Sequence, residues 1–317
     1  MLLSAKQLLT ELIDYAGLFP PAELPMEDAI RQFARYARDQ DQWMLGKFVV
    51  PVSRLDELEP HIGLFSQAQP LHLSAIGYRC RSSAECLELL NGSLARIRSF
   101  HADAQDAAVI DTLDLPVPPI PVQGQLLTAV GAETAGAGLR TFCEFTYALD
   151  SHWESNMLEA IHQLAIYNAA SEAKLGLKLR TGGLSAEAFP APEQVALVLQ
   201  ACRDSAVSLK FTAGLHHPIR MHRTEVSAKM HGFLNVFIAG LLAHAHGLDR
   251  KRITEIVEDE DPNHFRFTDD GLEWNAFSIP TAEIQRYREK ALTVYGSCSF
   301  DEPRDELREL YKLERRS

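Results

Sequence analysis

Short apolar runs rich in β-branched and aromatic residues return along the chain about every 25 to 35 residues, most of them followed by helical spacing. Eight runs carry this pattern: LIDYAGLF from Leu12, GKFVVPV from Gly46, LHLSAIGY from Leu71, AAVIDTL from Ala107, TFCEFTY from Thr141, LGLKLRTGG from Leu175, VSLKFTAG from Val207 and FLNVFIAG from Phe233. Strand and helix in repeated alternation build a parallel sheet, and eight repeats suffice to close a (β/α)8 TIM-type barrel. The last run also fits a buried helix, because MHGFLNVFIAGLLAHAHG is apolar at nearly every position and so has no period of its own.

The intervening segments carry helix signals. After the turn FPPAELP, Ile30, Phe33, Ala34 and Ala37 share one helical face. Ser151 and Glu154 have capping-box spacing ahead of Met157, Leu158, Ile161 and Leu164. Pro192 and Glu193 suit the first turn of a helix through Val195, Val198, Leu199 and Cys202. Beyond Gly247 the rhythm changes: FRFTDDGLEW reads as a hairpin around an Asp-Gly turn, a helix runs from Pro280 to about Tyr295 and stops at Gly296, and a polar helix follows GSCSFDEP. The expected organisation is a barrel over residues 1–247 and a helical and hairpin extension, 248–317, packed on it.

Composition narrows the function classes. The chain has 317 residues, 46% hydrophobic and 23% charged, an ordinary globular balance with no membrane-length apolar run. A formal charge of −12 disfavours nucleic acid and anionic membranes as partners. The opening MLLSAKQLLTELIDYAG lacks a basic start and a cleavage site, which points to a cytoplasmic protein. The five cysteines are scattered and read as reduced packing residues, with Cys298 in a turn whose sequence neighbours offer no general base. Homo-oligomerisation is left open.

The chemistry concentrates at the strand ends. Alternation sends Leu175, Leu177 and Leu179 to the helices and Lys178 and Arg180 inward; in the next run Lys210 and Thr212 face inward. Asp111 and Glu144 lie in apolar strands and belong inside for the same reason. Burial beside Lys210 and Arg180 should lower the Lys178 pKa and leave a partly neutral amine able to attack a carbonyl, with Glu144 and Asp111 opposing that shift.

Five segments in order, IDYAGLF, VIDTL, CEFTY, KLRTG and KFTAG, resemble strands of the deoxyribose-phosphate aldolase group of class I aldolases. The resemblance implies a Schiff-base lyase or isomerase in which Lys178 is the nucleophile, Lys210 tunes it and Asp111 shuttles protons. Arg180 departs from the small hydroxyl residue of that family's motif, and LHHPIRMH after Gly214 replaces its phosphate-binding turn. Arg180, Thr181, Thr212, His216, His217 and Tyr15 are the expected substrate contacts, with Glu144 beside the lysines. The expected substrate is a small carbonyl compound, with an anionic group as an option. No cofactor is expected and no metal, since His216, His217, His222 and His231 are unevenly spaced. Two alternatives stand beside this reading: a metal-assisted barrel enzyme using His216 and His217 with Glu144, and a non-catalytic barrel that binds an anionic metabolite or a protein.

Overall fold

The computed structural model describes residues 2–118 and 123–311. Helix α1 (Leu3–Leu9) opens the chain, followed by β1 (Ile13–Tyr15), α2 (Met26–Tyr36), β2 (Leu45–Pro51) and, in place of a second α-helix, 3-10 turns over Val52–Leu64. Next come β3 (Leu71–Ile76), α3 (Ser83–Ala104), β4 (Ala108–Val117), α4 (Gly124–Gly136), β5 (Arg140–Phe145), α5 (Trp153–Ala170), β6 (Leu175–Arg180), α6 (Pro192–Asp204) and β7 (Leu209–Thr212). A long excursion then passes through the hairpin β8 (Met221–Arg223) and β9 (Ala228–Met230), α7 (Phe233–His246), α8 (Arg250–Glu258), the antiparallel sheet β10 (Phe265–Phe267), β11 (Gly271–Trp274) and β12 (Phe277–Pro280), and α9 (Thr281–Lys290). The chain returns as β13 (Leu292–Ser297) and ends its described part in α10 (Asp301–Tyr311).

Eight parallel strands close the barrel in the order β1-β13-β7-β6-β5-β4-β3-β2, the (β/α)8 TIM barrel that the alternation calls for. The eighth strand is not FLNVFIAG. That segment is α7, buried at every position from Phe233 to Ala243 because α6, α8 and α9 surround the face that a surface helix would show to water. Phe237 packs edge-on against Phe211, with ring centroids 5.1 Å apart, and Phe233 stacks on Tyr295. A helix covered on all sides has no polar stripe, which is why its period was unreadable.

The true closing strand lies in the segment expected to extend a helix to Tyr295. Helix α9 stops at Lys290, and LTVYGS pairs with β1 through Ile13↔Tyr295 and with β7 through Phe211↔Tyr295. Residues 248–317 are therefore no appendage to a finished barrel, and the division at residue 247 gives way. The buried Arg288 ties the closure together by donating to the carbonyls of Leu8, Leu292 and Thr10. The hairpin in FRFTDDGLEW is present as β10 and β11, and Pro192 opens α6 as read. At α5 the N-cap is His152, whose amide donates to Asp150 Oδ1, so the Ser151 and Glu154 box does not form. Among the described residues no helix is long and apolar enough to cross a membrane.

Candidate functional site

The C-terminal ends of the barrel strands open into a cavity of about 410 Å³. Its floor is a row of buried charges of alternating sign: Asp14, Lys210, Asp114, Lys178, Glu144 and, at the rim, Arg180. Lys210 Nζ lies 3.0 Å from Asp14 Oδ2 and 3.1 Å from Asp114 Oδ2, and it donates to Ser74 Oγ at 2.7 Å. Lys178 Nζ lies 3.0 Å from the same Asp114 oxygen and 3.0 Å from Glu144 Oε2. Arg180 reaches Glu144 Oε1 at 3.3 Å. Three cations face three carboxylates, so no net charge is stranded in the barrel.

Strand register explains the assembly. Glu144, Lys178 and Lys210 are direct neighbours across β5, β6 and β7, so their side chains leave the same face of the sheet. Asp14 projects inward from β1, where the Lys47 amide donates to its Oδ1 at 2.8 Å, and a Cβ on Gly46 would lie only 2.4 Å from that oxygen. Gly214, at φ +82°, turns the chain beyond β7 where a Cβ would meet the Gly182 backbone at 2.8 Å.

Electrostatics reverse one expectation. Burial alone would push the Lys178 pKa down, but Asp114 and then Glu144 outweigh it and raise the amine above its ordinary range. Asp114 and Glu144 are shifted the other way: burial raises them, and the facing lysines, joined at Glu144 by Arg180, hold both below the usual carboxylate range. The resting state is thus ammonium between carboxylates, not a partly neutral amine.

Two expected site residues fall elsewhere. In β4 the pairing with β3 slips, Leu73↔Ile110 being followed by Ser74↔Thr112, so that Asp111 is an extra residue. The slip inverts the alternation downstream. Asp114 reaches the lysines, whereas Asp111 stays low on the strand, half-exposed and bound to Lys47 and Thr112. Tyr15 points to the helix layer, its hydroxyl donating to Gln32 Oε1 at 2.8 Å and its ring packed by Phe33, Tyr36 and Phe48. Its neighbour Asp14 takes the inward position.

The remaining expected contacts divide. Arg180, Thr212 and His216 line the cavity. Thr181 is buried and donates to the Ala213 carbonyl at 2.6 Å, fastening β6 to the end of β7. His217 is buried away from the lining, with Nδ1 2.9 Å from Glu306 Oε1 and 2.7 Å from Arg223 Nη2. His217, Glu302 and Glu306 converge, but the Arg223 guanidinium contacts both His217 and Glu306, so a cation already occupies that junction and it serves to moor α10. Glu144 is committed to Lys178 and Arg180, and the metal-capable side chains that converge among the described residues join His217 to Glu302 and Glu306 rather than to Glu144. Sequence reasoning missed Asp114, hidden by the slip in β4, and Ser74, a small polar residue with no signal of its own. It also missed Cys298 as a cavity residue, because its partner is 82 positions away.

No protein-family model matches the chain, and no curated protein matches it. Solved structures similar to it include an engineered protein at 12% identity and TM-score 0.47, covering 83% of this chain and 70% of that one. An aldo-keto reductase in complex with an inhibitor aligns at 11% identity and TM-score 0.44 over 96% of this chain and 90% of its own. A xylose isomerase domain protein from Alicyclobacillus acidocaldarius aligns at 15% identity and TM-score 0.39 over 78% and 96%. Nothing is carried from these likenesses to individual residues.

Proposed function

We propose that the protein is an enzyme that forms an imine between Lys178 and a small carbonyl compound bearing an anionic group, as a lyase or isomerase of the class I aldolase kind. The observation that carries this reading is the pair of lysines sharing one oxygen of Asp114 at the floor of an open cavity. A purely structural core gains little from such a row, since apolar packing of similar volume is commonly as stable.

Imine formation requires Lys178 to lose a proton, and Glu144 Oε2 at 3.0 Å is placed to take it. The neutral amine then adds to the carbonyl carbon, and Glu144 returns its proton to the departing hydroxyl, so that loss of water leaves a protonated imine beside an ionised Glu144. That cation inherits the position and charge of the former ammonium, so Asp114 and Glu144 stabilise it with fixed groups already in place. Lys210 keeps Asp114 ionised, so this carboxylate, which lines the cavity, can accept a proton from the substrate. At the mouth, Arg79 lines the cavity without an acidic partner among the described residues; with Arg180 and His216 it suits a carboxylate or phosphate.

The raised pKa of Lys178 favours a second reading, a barrel that binds an anionic metabolite without reacting with it. Borohydride reduction in the presence of small aldehydes and 2-oxo acids, with adducts mapped by mass spectrometry, separates the two. The expected result is selective labelling of Lys178 that accelerates from pH 7 to pH 9, is abolished in Lys178→Ala and is weakened in Lys210→Ala. A silent Lys178 in a protein that still binds anions would establish the second reading.

A further inference from the structure

The loop after β13, the strand paired with β7, brings Cys298 into the cavity wall, and the loop after β7 brings His216 beside it. Cys298 Sγ is 3.8 Å from His216 Nδ1, and the same nitrogen is 3.4 Å from Glu302 Oε2 on the first turn of α10. A nucleophile and a base are thereby brought together from two separate elements, and the Glu302 carboxylate, facing the same ring nitrogen as the thiol, favours its protonated form. Burial works against a charged His216, but the contacts with Cys298 and Glu302 outweigh it and raise its pKa to about 9. The other titratable groups around the pair are Tyr15, which interacts with Cys298, His217 and Arg223, which interact with Glu302, and Arg180 and Lys210, which line the same cavity. The remaining thiols differ in kind: Cys86, Cys143 and Cys202 are buried, and Cys80 donates to the Pro116 carbonyl with its pKa raised by burial.

We infer that Cys298 and His216 form a second reactive pair in this cavity, a thiol beside an imidazole that adds reversibly to the carbonyl carbon of an aldehyde. The inference rests on the reading of the cavity as a carbonyl site and narrows the substrate class to aldehydes, because ketones form such adducts poorly. In the addition His216 Nδ1 relays the thiol proton: the sulfur forms the C–S bond as its S–H bond breaks, the carbonyl π pair moves to oxygen, and that oxygen takes the proton from the imidazole. The product is a hemithioacetal; nothing is oxidised, no group leaves, and the reverse step returns the aldehyde for capture by Lys178.

Two measurements on the full-length protein test this. Iodoacetamide alkylation mapped by mass spectrometry should modify Cys298 faster than Cys80 by about tenfold at neutral pH, and His216→Gln should remove that advantage. With carbonyl-labelled [13C]propanal, NMR should show a hemithioacetal carbon, well separated from an imine carbon, that disappears in Cys298→Ser. A Cys298 alkylation rate unchanged in His216→Gln, or no hemithioacetal signal with propanal, would overturn the inference. An imine signal without a hemithioacetal refutes the Cys298 pair alone, and a hemithioacetal without an imine refutes the Lys178 reading alone.

Discussion

Asp114 holds two ammonium groups with a single oxygen, 3.0 Å from Lys178 and 3.1 Å from Lys210, in a place almost closed to solvent. Asp114→Asn would leave three cations facing two carboxylates, Asp14 and Glu144, and the loss of one member of such a network costs about 3 to 5 kcal/mol. Urea denaturation should register that loss. In whatever fraction folds, the pH at which Lys178 becomes trappable should move down, because the first of the carboxylates that raise its pKa is gone. Lys178, Lys210 and Glu144 were legible from sequence because β5, β6 and β7 pair without a slip, so simple alternation assigns their faces. Asp111 was misassigned for the converse reason: one extra residue in β4 reverses the alternation, and nothing in AAVIDTL marks where the pairing slips.

At the scale of elements, β13 decides whether there is a barrel at all. A chain ending at residue 291 would leave β1 and β7 with unpaired edges and expose Tyr295's partners Phe233 and Phe237. It should show no cooperative unfolding transition by circular dichroism, whereas a chain ending at residue 300 keeps the strand and should fold. Helix α10 is moored partly through His216 and Glu302. A histidine whose folded pKa is raised to about 9 contributes fully below its unfolded value of ~6.5 and loses that contribution as pH rises through about 9. Hydrogen exchange across residues 301–311 should therefore accelerate between pH 7 and pH 10, and less so in His216→Gln.

For the whole molecule, the balanced row of charges sets the pH range of stability. Asp114 and Glu144 have depressed folded pKa values, so their contribution is present above the ordinary carboxylate range and is lost as pH falls through the lower folded values. Lys178 has a raised value, so its contribution is complete below ~10.4 and fades only at higher pH. Thermal midpoints should accordingly form a plateau at neutral pH and fall steeply below about pH 4, the reference range for free carboxylates. In Glu144→Gln the acid limb should be shallower. A midpoint unchanged down to pH 2.5 would show that the carboxylates are not held in the ionised state.

The sequence by itself determined what depends on short-range order: seven of the barrel strands, their alternation with helices, and the inward placement of Lys178, Lys210 and Glu144. Each follows from the two-residue period of a strand, which acts over a few positions and needs no knowledge of the partner. Tertiary structure decided what depends on the neighbour. The slip between β3 and β4 exchanged Asp111 for Asp114, and burial on all sides made FLNVFIAG a helix. Vacant hydrogen-bonding edges on β1 and β7 recruited LTVYGS from the far end of the chain as the closing strand. The same closure carried Cys298 and Glu302 to His216, because residues far apart in sequence share a cavity only once the strand before Cys298 is seated in the barrel.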